Sequence, residues 1–186
     1  MTARGQSEIA ARGRVRDIGK VAVISAAVLS IGFFLGSGLG IRINISPSLP
    51  FGLYRVDTTG AANLAEFCPQ APFGDFANAR GYRHAGSCPD GGSPLLKPII
   101  AQAGDTVSVS PDGIRVNGRL LPNSAARGTD TAGRPLSPWR FGTYNVEAGK
   151  VWVLSSYHPR SFDSRYFGPI PETAIRERLR PLLTLR

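Results

Sequence analysis

Cysteine and histidine are scarce in this 186-residue chain, two of each, and Cys68 and Cys88 lack the short C-x-x-C spacing and the further ligands of a zinc site. A structural metal is excluded from the reading on that ground, and no cofactor motif takes its place. No internal repeat is present, which sets aside solenoids and propellers. Recognition-helix patterns and zinc-finger spacings are missing too, so the net charge of +9 does not read as a nucleic-acid interface. Lysine is rare beyond residue 41, where only Lys97 and Lys150 occur.

Glycine and proline are plentiful. The 22 Gly and 15 Pro make up about a fifth of the chain, a loading that suits a loop-rich β structure better than a helical one. They alternate with apolar runs, and 42% hydrophobic residues are enough to fill a core. The length allows one compact domain plus a small appendage. The alternation over Thr106–Ser110 predicts a strand, Pro111-Asp112-Gly113 a turn, Ile114-Arg115-Val116 a second strand and Asn117-Gly118 another tight turn. "YNVEAGKVWVLS" predicts a further hairpin with Val151 to Leu154 in its second strand. The tail "PETAIRERLRPLLTL" predicts a short helical turn that stops near Pro181. The expected fold class is mainly β, an antiparallel domain behind one N-terminal transmembrane helix.

That helix is read from "VAVISAAVLSIGFFLGSGLGI", Val21 to Ile41, 21 residues without a charge. At about 1.5 Å per residue it matches the roughly 30 Å of a bilayer's hydrocarbon. The alternative is a cleaved signal peptide, which the small residues Gly36-Ser37-Gly38 keep open. Its apolar region would span only about 7–15 residues, so an uncleaved anchor is the reading taken. Arg4, Arg12, Arg14, Arg16 and Lys20 precede the run against Glu8 and Asp17, and only Arg42 follows closely. The positive-inside rule then places 1–20 in the cytoplasm, 21–41 in the membrane and 42–186 outside. Outside is oxidising, which predicts a Cys68–Cys88 disulfide. Closing that loop of about twenty residues is worth about 3 kcal/mol in the chain-entropy model.

Chemistry can sit in three places. The first is "NISPSLPFGLYRV", Asn44 to Val56. Pro47 and Pro50 restrict the backbone around Ser48, and Ser46, two residues earlier, points to the same side if the segment is extended. A reactive Ser48 would need a base and oxyanion donors; the plain alternative is a solvated turn. The second is Lys97, followed by Pro98-Ile99-Ile100. Burial penalises an ammonium and lowers its pKa from about 10.4 toward neutrality, which would let the amine accept a serine proton. A solvated strand lysine is the alternative. The third is "SSYHPRSFDSRYFGPIP", Ser155 to Pro171, where Asp163 and Arg165 are spaced to pair and Ser161 is spaced to face with Asp163. A polar surface turn is the alternative to a partly buried network.

Together, "NISPSLPFGLY", "CPDGGSPLLKPIIAQAGD" and "SFDSRYFGPI", in that order behind an anchor, resemble membrane-bound signal peptidases of the Ser/Lys type. The likeness is to their conjugal-transfer branch, the TraF-type peptidases, and runs from the anchor to about Pro171. "ARGYRHAGSCP" and the cysteine pair resemble that branch as well. The resemblance implies Ser48 as nucleophile, Lys97 as general base and Ser46 as side-chain oxyanion donor beside the Ser48 N–H. It implies Ser161 as the serine that orients the amine, with Asp163 and Arg165 as the late aspartate and its partner. It implies an antiparallel β peptidase domain without a cofactor, in the periplasm on a bacterial inner membrane. The expected partners are the lipid bilayer and a membrane-held, pilin-like precursor cut after small residues, with no nucleic acid. Release of the acyl group would be by hydrolysis or by cyclising acyl transfer.

Leu49 stands where methionine is usual, proline follows the serine by two residues instead of three, and the late box lacks "GDN". These departures fit the conjugal branch and count against a general type I signal peptidase, one alternative. Others are a non-enzymatic anchored component of a transfer apparatus, a soluble repressor-cleaving relative, and a Ser/His/Asp enzyme using His158 and Asp163. Ser48 lies seven residues past Ile41, at most about 25 Å away even when extended, so the nucleophile is expected near the membrane face.

Overall fold

The computed structural model describes residues 40–185. The expected cytoplasmic segment and almost all of the expected anchor lie outside the described residues. Ile41, the last residue of the apolar run, begins a strand. Among the described residues no helix is long and apolar enough to cross a membrane.

A compact unit begins at Ile43 and is built mostly of strands. In chain order these are β1 (Ile41–Asn44), β2 (Gly52–Val56), β3 (Leu64–Phe67), β4 (Leu95–Ala101), β5 (Thr106–Ser110), β6 (Gly113–Val116), β7 (Arg119–Leu120), β8 (Gly142–Asn145), β9 (Lys150–Val153), β10 (Ile170–Pro171) and β11 (Ile175–Thr184). Two short helices accompany them, α1 (Phe73–Ala79) and α2 (Ser164–Phe167). The larger sheet runs β1-β2-β11-β3-β4-β9-β10 and the smaller β7-β6-β5-β8. From β2 across to β10 every neighbouring pair is antiparallel.

The smaller sheet follows the sequence pattern closely. Val107 and Val109 alternate into the core on β5. Val116 pairs with Arg119 across the two-residue turn Asn117-Gly118, whose φ values of 48° and 82° are the positive pair that a tight hairpin needs. β9 explains why there are two cores. Val151 and Val153 face one, with Phe67, Phe162 and Phe167, while Trp152 and Leu154 face the other, with Val107, Val109 and Ile114. An unbroken "VWVL" suits a strand covered on both faces.

That double cover overturns the expected hairpin over residues 144–155. Both strands exist, but β8 pairs with β5, and β9 pairs with β4 and β10. The Tyr144 and Trp152 rings still meet, 5.6 Å apart, as a contact between the two sheets. The expected helical turn in the tail is also replaced. After a single 3-10 turn, Glu172–Ala174, the chain forms the ten-residue strand β11. It passes through Pro181 because β3 pairs only as far as Leu179 and the register against β2 shifts after Pro181. A proline is accommodated where a strand has one neighbour only.

Cys68 and Cys88 are joined. The loop they close holds α1, and Phe73, Phe76 and Tyr82 from it pack on the Phe162 core. Replacing both cysteines with serine is expected to cost about 3 kcal/mol by loop entropy. Thermal denaturation should show this as a Tm about 10 °C lower, at roughly 2–4 °C per kcal/mol.

Candidate active site

The stretch between β1 and β2 is a turn held mainly by one side chain. Asn44 is buried, and its Nδ2 donates to the carbonyls of Ser46, Leu49 and Pro50 at 3.1, 3.2 and 3.0 Å. Its Oδ1 accepts from the Ser46 N–H at 3.2 Å. Pro47 and Ser48 occupy the two central positions of a turn closed by the Leu49 N–H to the Ser46 carbonyl, 3.4 Å, and proline favours the first of these. Leu49 is buried and anchors the turn. Ser46 Oγ donates to Ser48 Oγ at 3.3 Å and accepts from the Ser48 N–H at 3.4 Å. The two hydroxyls therefore stand side by side, with Ser46 exposed and Ser48 half-buried.

Lys97 lies inside β4, which is flanked by β3 and β9, and pairs with Ala65. It is 3% exposed. Burial pushes the amine down to about 8; the Asp163 carboxylate opposes this and the Arg165 guanidinium adds to it. Among the described residues no hydrogen bond or ion pair reaches the Lys97 amine. Ser161, also buried, has an Oγ without a hydrogen-bond partner among the described residues.

The late box folds around Arg165, which is fully buried. Its Nε and Nη2 donate to the two Asp163 carboxylate oxygens, both at 2.8 Å. Its remaining donors reach the carbonyls of Asn123 (2.7 Å), Pro159 (3.0 Å) and Ser161 (3.1 Å). Asp163 caps α2 by accepting from the Arg165 N–H, and takes the Ser155 N–H at 3.1 Å. Phe162, between Ser161 and Asp163, stacks with Phe76 and Tyr166 at 5.8 and 5.7 Å and so ties the box to the core.

Ser46, Ser48 and Lys97 line one cleft of about 250 Å³. Leu95, Leu136, Phe162 and Tyr166 give it apolar wall, and Arg127, Asp130, His158 and Arg160 give it polar rim. Ser161, Asp163 and Arg165 do not line it. His158 does not form a relay with Asp163. Its Nδ1 accepts the Arg160 N–H at 3.2 Å, and the Asp163 oxygens are taken by Arg165 and Ser155. Among the described residues no group of three His, Cys, Asp or Glu is placed to hold a metal. Sequence reasoning left out Asn44, although an asparagine before a turn is a recognised turn signal, and Ser155, which no local signal distinguishes.

A buried amine with a depressed pKa is a stability statement. Between about pH 8 and 10.5 the folded chain binds fewer protons at Lys97 than the unfolded chain, so this group raises stability as pH climbs through that window. Below about pH 8 the buried ammonium is a burden of about 3 kcal/mol. Lys97→Met is therefore expected to melt higher than the wild type at pH 7, with the margin closing by about pH 10.5 in melting curves taken across pH.

Comparison with known proteins places the chain. The sequence model of the signal peptidase family, peptidase S26, matches residues 15–182. The plasmid transfer protein TraF of Escherichia coli is 39% identical over 167 residues, covering 88% of this chain and 92% of that protein. The conjugal transfer protein TraF of Agrobacterium fabrum is 35% identical over 166 residues, covering 87% and 92%. A crystal structure of signal peptidase I from Enterococcus faecalis aligns with a TM-score of 0.36 and 22% identity, over 67% of this chain and 99% of that one. With that family model spanning most of its length and relatives covered almost end to end, the chain belongs to the signal peptidase family, peptidase S26, alongside the TraF proteins of plasmid and conjugal transfer.

Proposed function

We propose that this protein is a membrane-anchored serine endopeptidase that works with a Ser48/Lys97 dyad on membrane-held precursors. The observation that carries the reading is a single cleft lined by both the half-buried Ser48 and a lysine whose amine burial brings to about 8. An amine near that value is neutral often enough to act as a base close to physiological pH. Neutral Lys97 takes the Ser48 proton as Ser48 Oγ attacks the scissile carbonyl. The oxyanion is held by the Ser48 N–H and the Ser46 hydroxyl, which must turn from Ser48 Oγ toward the substrate. The ammonium then protonates the leaving amine, and the freed base activates water or a substrate amine. Ser161, with an unused buried hydroxyl, is suited to orient the lysine amine. Asp163 and Arg165 hold the box that carries it.

The substrate reading rests on the relatives. Those proteins are named for plasmid and conjugal transfer, so we assign a pilin-like precursor matured for a transfer apparatus, by hydrolysis or by cyclisation. We also assign residues 1–20 to the cytoplasm, 21–41 to a single membrane span and 42–186 to the periplasmic side. Exposed Ile43, Ile45, Phe51, Leu182, Leu183 and Leu185 support a membrane-facing end. They gather where β1, β2 and the end of β11 meet, with the Leu185 N–H on the Phe51 carbonyl at 2.8 Å, next to the serine turn. Single exposed apolar residues mean little, but a contiguous group marks an interaction surface.

Co-expression with candidate pilin precursors and mass measurement of the products tests the reaction, because hydrolysed and cyclised products differ by one water. Lys97→Ala and Ser48→Ala are expected to abolish processing, with losses of at least about 10²–10⁴-fold. Ser46→Ala should lose about 10²-fold in kcat, and His158→Ala should stay active; full activity in Lys97→Ala would sink the dyad. Since the charged amine cannot accept a proton, kcat/KM should rise with pH through about 8 and level off above it.

A further inference from the structure

We propose that Ser155 is a positioning residue that sets the nucleophile against its base, by holding the main chain of Ser48 to the segment after β9, which bonds to β4 at Pro98, next to Lys97. This rests on the reading of Ser48 as nucleophile. Asn44 and Leu49 hold the flanks of the turn that carries Ser48, but its closing bond is long, 3.4 Å, and neither residue bonds the Ser48 carbonyl. Ser155 does this. Its Oγ donates to the Ser48 carbonyl and accepts from the Tyr157 N–H at 3.2 Å. Ser155 is fully buried and held on both sides of its own backbone: its N–H goes to Asp163 Oδ2 at 3.1 Å and its carbonyl accepts from Arg165 Nη2 at 3.4 Å. One residue earlier, the Leu154 N–H donates to the carbonyl of Pro98 at 2.9 Å. Pro98 directly follows Lys97.

Two consecutive residues thus bond to the two halves of the reaction, Leu154 to the strand of the base and Ser155 to the turn of the nucleophile. The Asp163–Arg165 pair fixes the segment that joins them. Removing the Ser155 hydroxyl alters no contact of the Lys97 or Ser161 side chains but frees the Ser48 carbonyl and the Tyr157 N–H. The Ser48 N–H and Oγ share that residue's backbone, so the nucleophile and its oxyanion donor would drift together. A displacement of about 1 Å is enough to cost on the order of 10²-fold in rate.

The test uses the full chain in detergent with the precursor that the wild type processes. Ser155→Ala is expected to fold with a Tm a few degrees below that of the wild type, since two backbone groups lose a partner. Its kcat should fall about 10–100-fold with KM within about twofold, and the pH limb near 8 should not move, because the surroundings of the amine are intact. Ser155→Thr, which keeps the Oγ, should recover most of the rate. Three results would overturn the proposal: wild-type kcat in Ser155→Ala, a shifted pH limb, or a loss that only follows the unfolded fraction. If Ser155→Ala does not fold, Ser155→Thr decides, an active protein supporting the proposal and a folded inactive one ending it. Ser48→Ala run alongside separates the two ideas. If it is inactive while Ser155→Ala is fully active, the positioning role alone falls; if it is active, the nucleophile assignment falls and the positioning role with it.

Discussion

A guanidinium withdrawn from water persists only where its donors are used and its charge is matched. Arg165 meets both conditions with the Asp163 carboxylate and a set of backbone carbonyls. Those carbonyls come from residue 123 and from the loop that holds residues 159 and 161, so one side chain ties together two pieces of irregular backbone that have no ladder to hold them. A buried pair of this kind adds little net stability over an apolar substitute, yet losing one member strands the other. Its value here is geometric. Asp163 takes the Ser155 N–H, Ser155 reaches Ser48, and Phe162 is set into the aromatic core beside it.

The same pair bears on the charge state of Lys97. Burial alone moves the amine down strongly, and Asp163 and Arg165 act on it with opposite signs. Because the carboxylate is tied to its own cation, it does not act as a full counter-ion to Lys97. An unshared aspartate at the same place would favour the ammonium near neutral pH. The arginine therefore helps keep the amine pKa low, both through its own charge and by occupying the carboxylate.

Features with a local cause were legible in the sequence. The β5–β6–β7 hairpins follow from alternation and from Asn117-Gly118, and the disulfide from two cysteines beyond an apolar run. The spacing of Asp163 and Arg165 announced a pair. Features set by distant partners were not. β8 and β9 read as one hairpin because their linker turns well, but β9 is claimed on both faces by two cores. The tail reads as polar and proline-broken, and becomes a strand only because β2 and β3 offer free edges on either side. Lys97 could be singled out by rarity, whereas its 3% exposure depends on the strands beside it. Asn44 and Ser155 act on backbone atoms; a turn-leading asparagine is a signal that could have been read, whereas the Ser155 contact leaves no residue pattern to find.

The order of strands also bears on how the site is held together. β2, which leads away from the Ser48 turn, has only β1 and β11 as sheet neighbours, and β11 stands between it and β3. Within the larger sheet, β1 and β2 are thus joined to β4, the strand of Lys97, through β11 and β3. Ser48 and Lys97 both precede β11 in the chain and lie on separate elements, the turn after β1 and strand β4. Within the sheet, the cleft lined by Ser48 and Lys97 therefore depends on β11, a strand distant in sequence from both, being seated between β2 and β3.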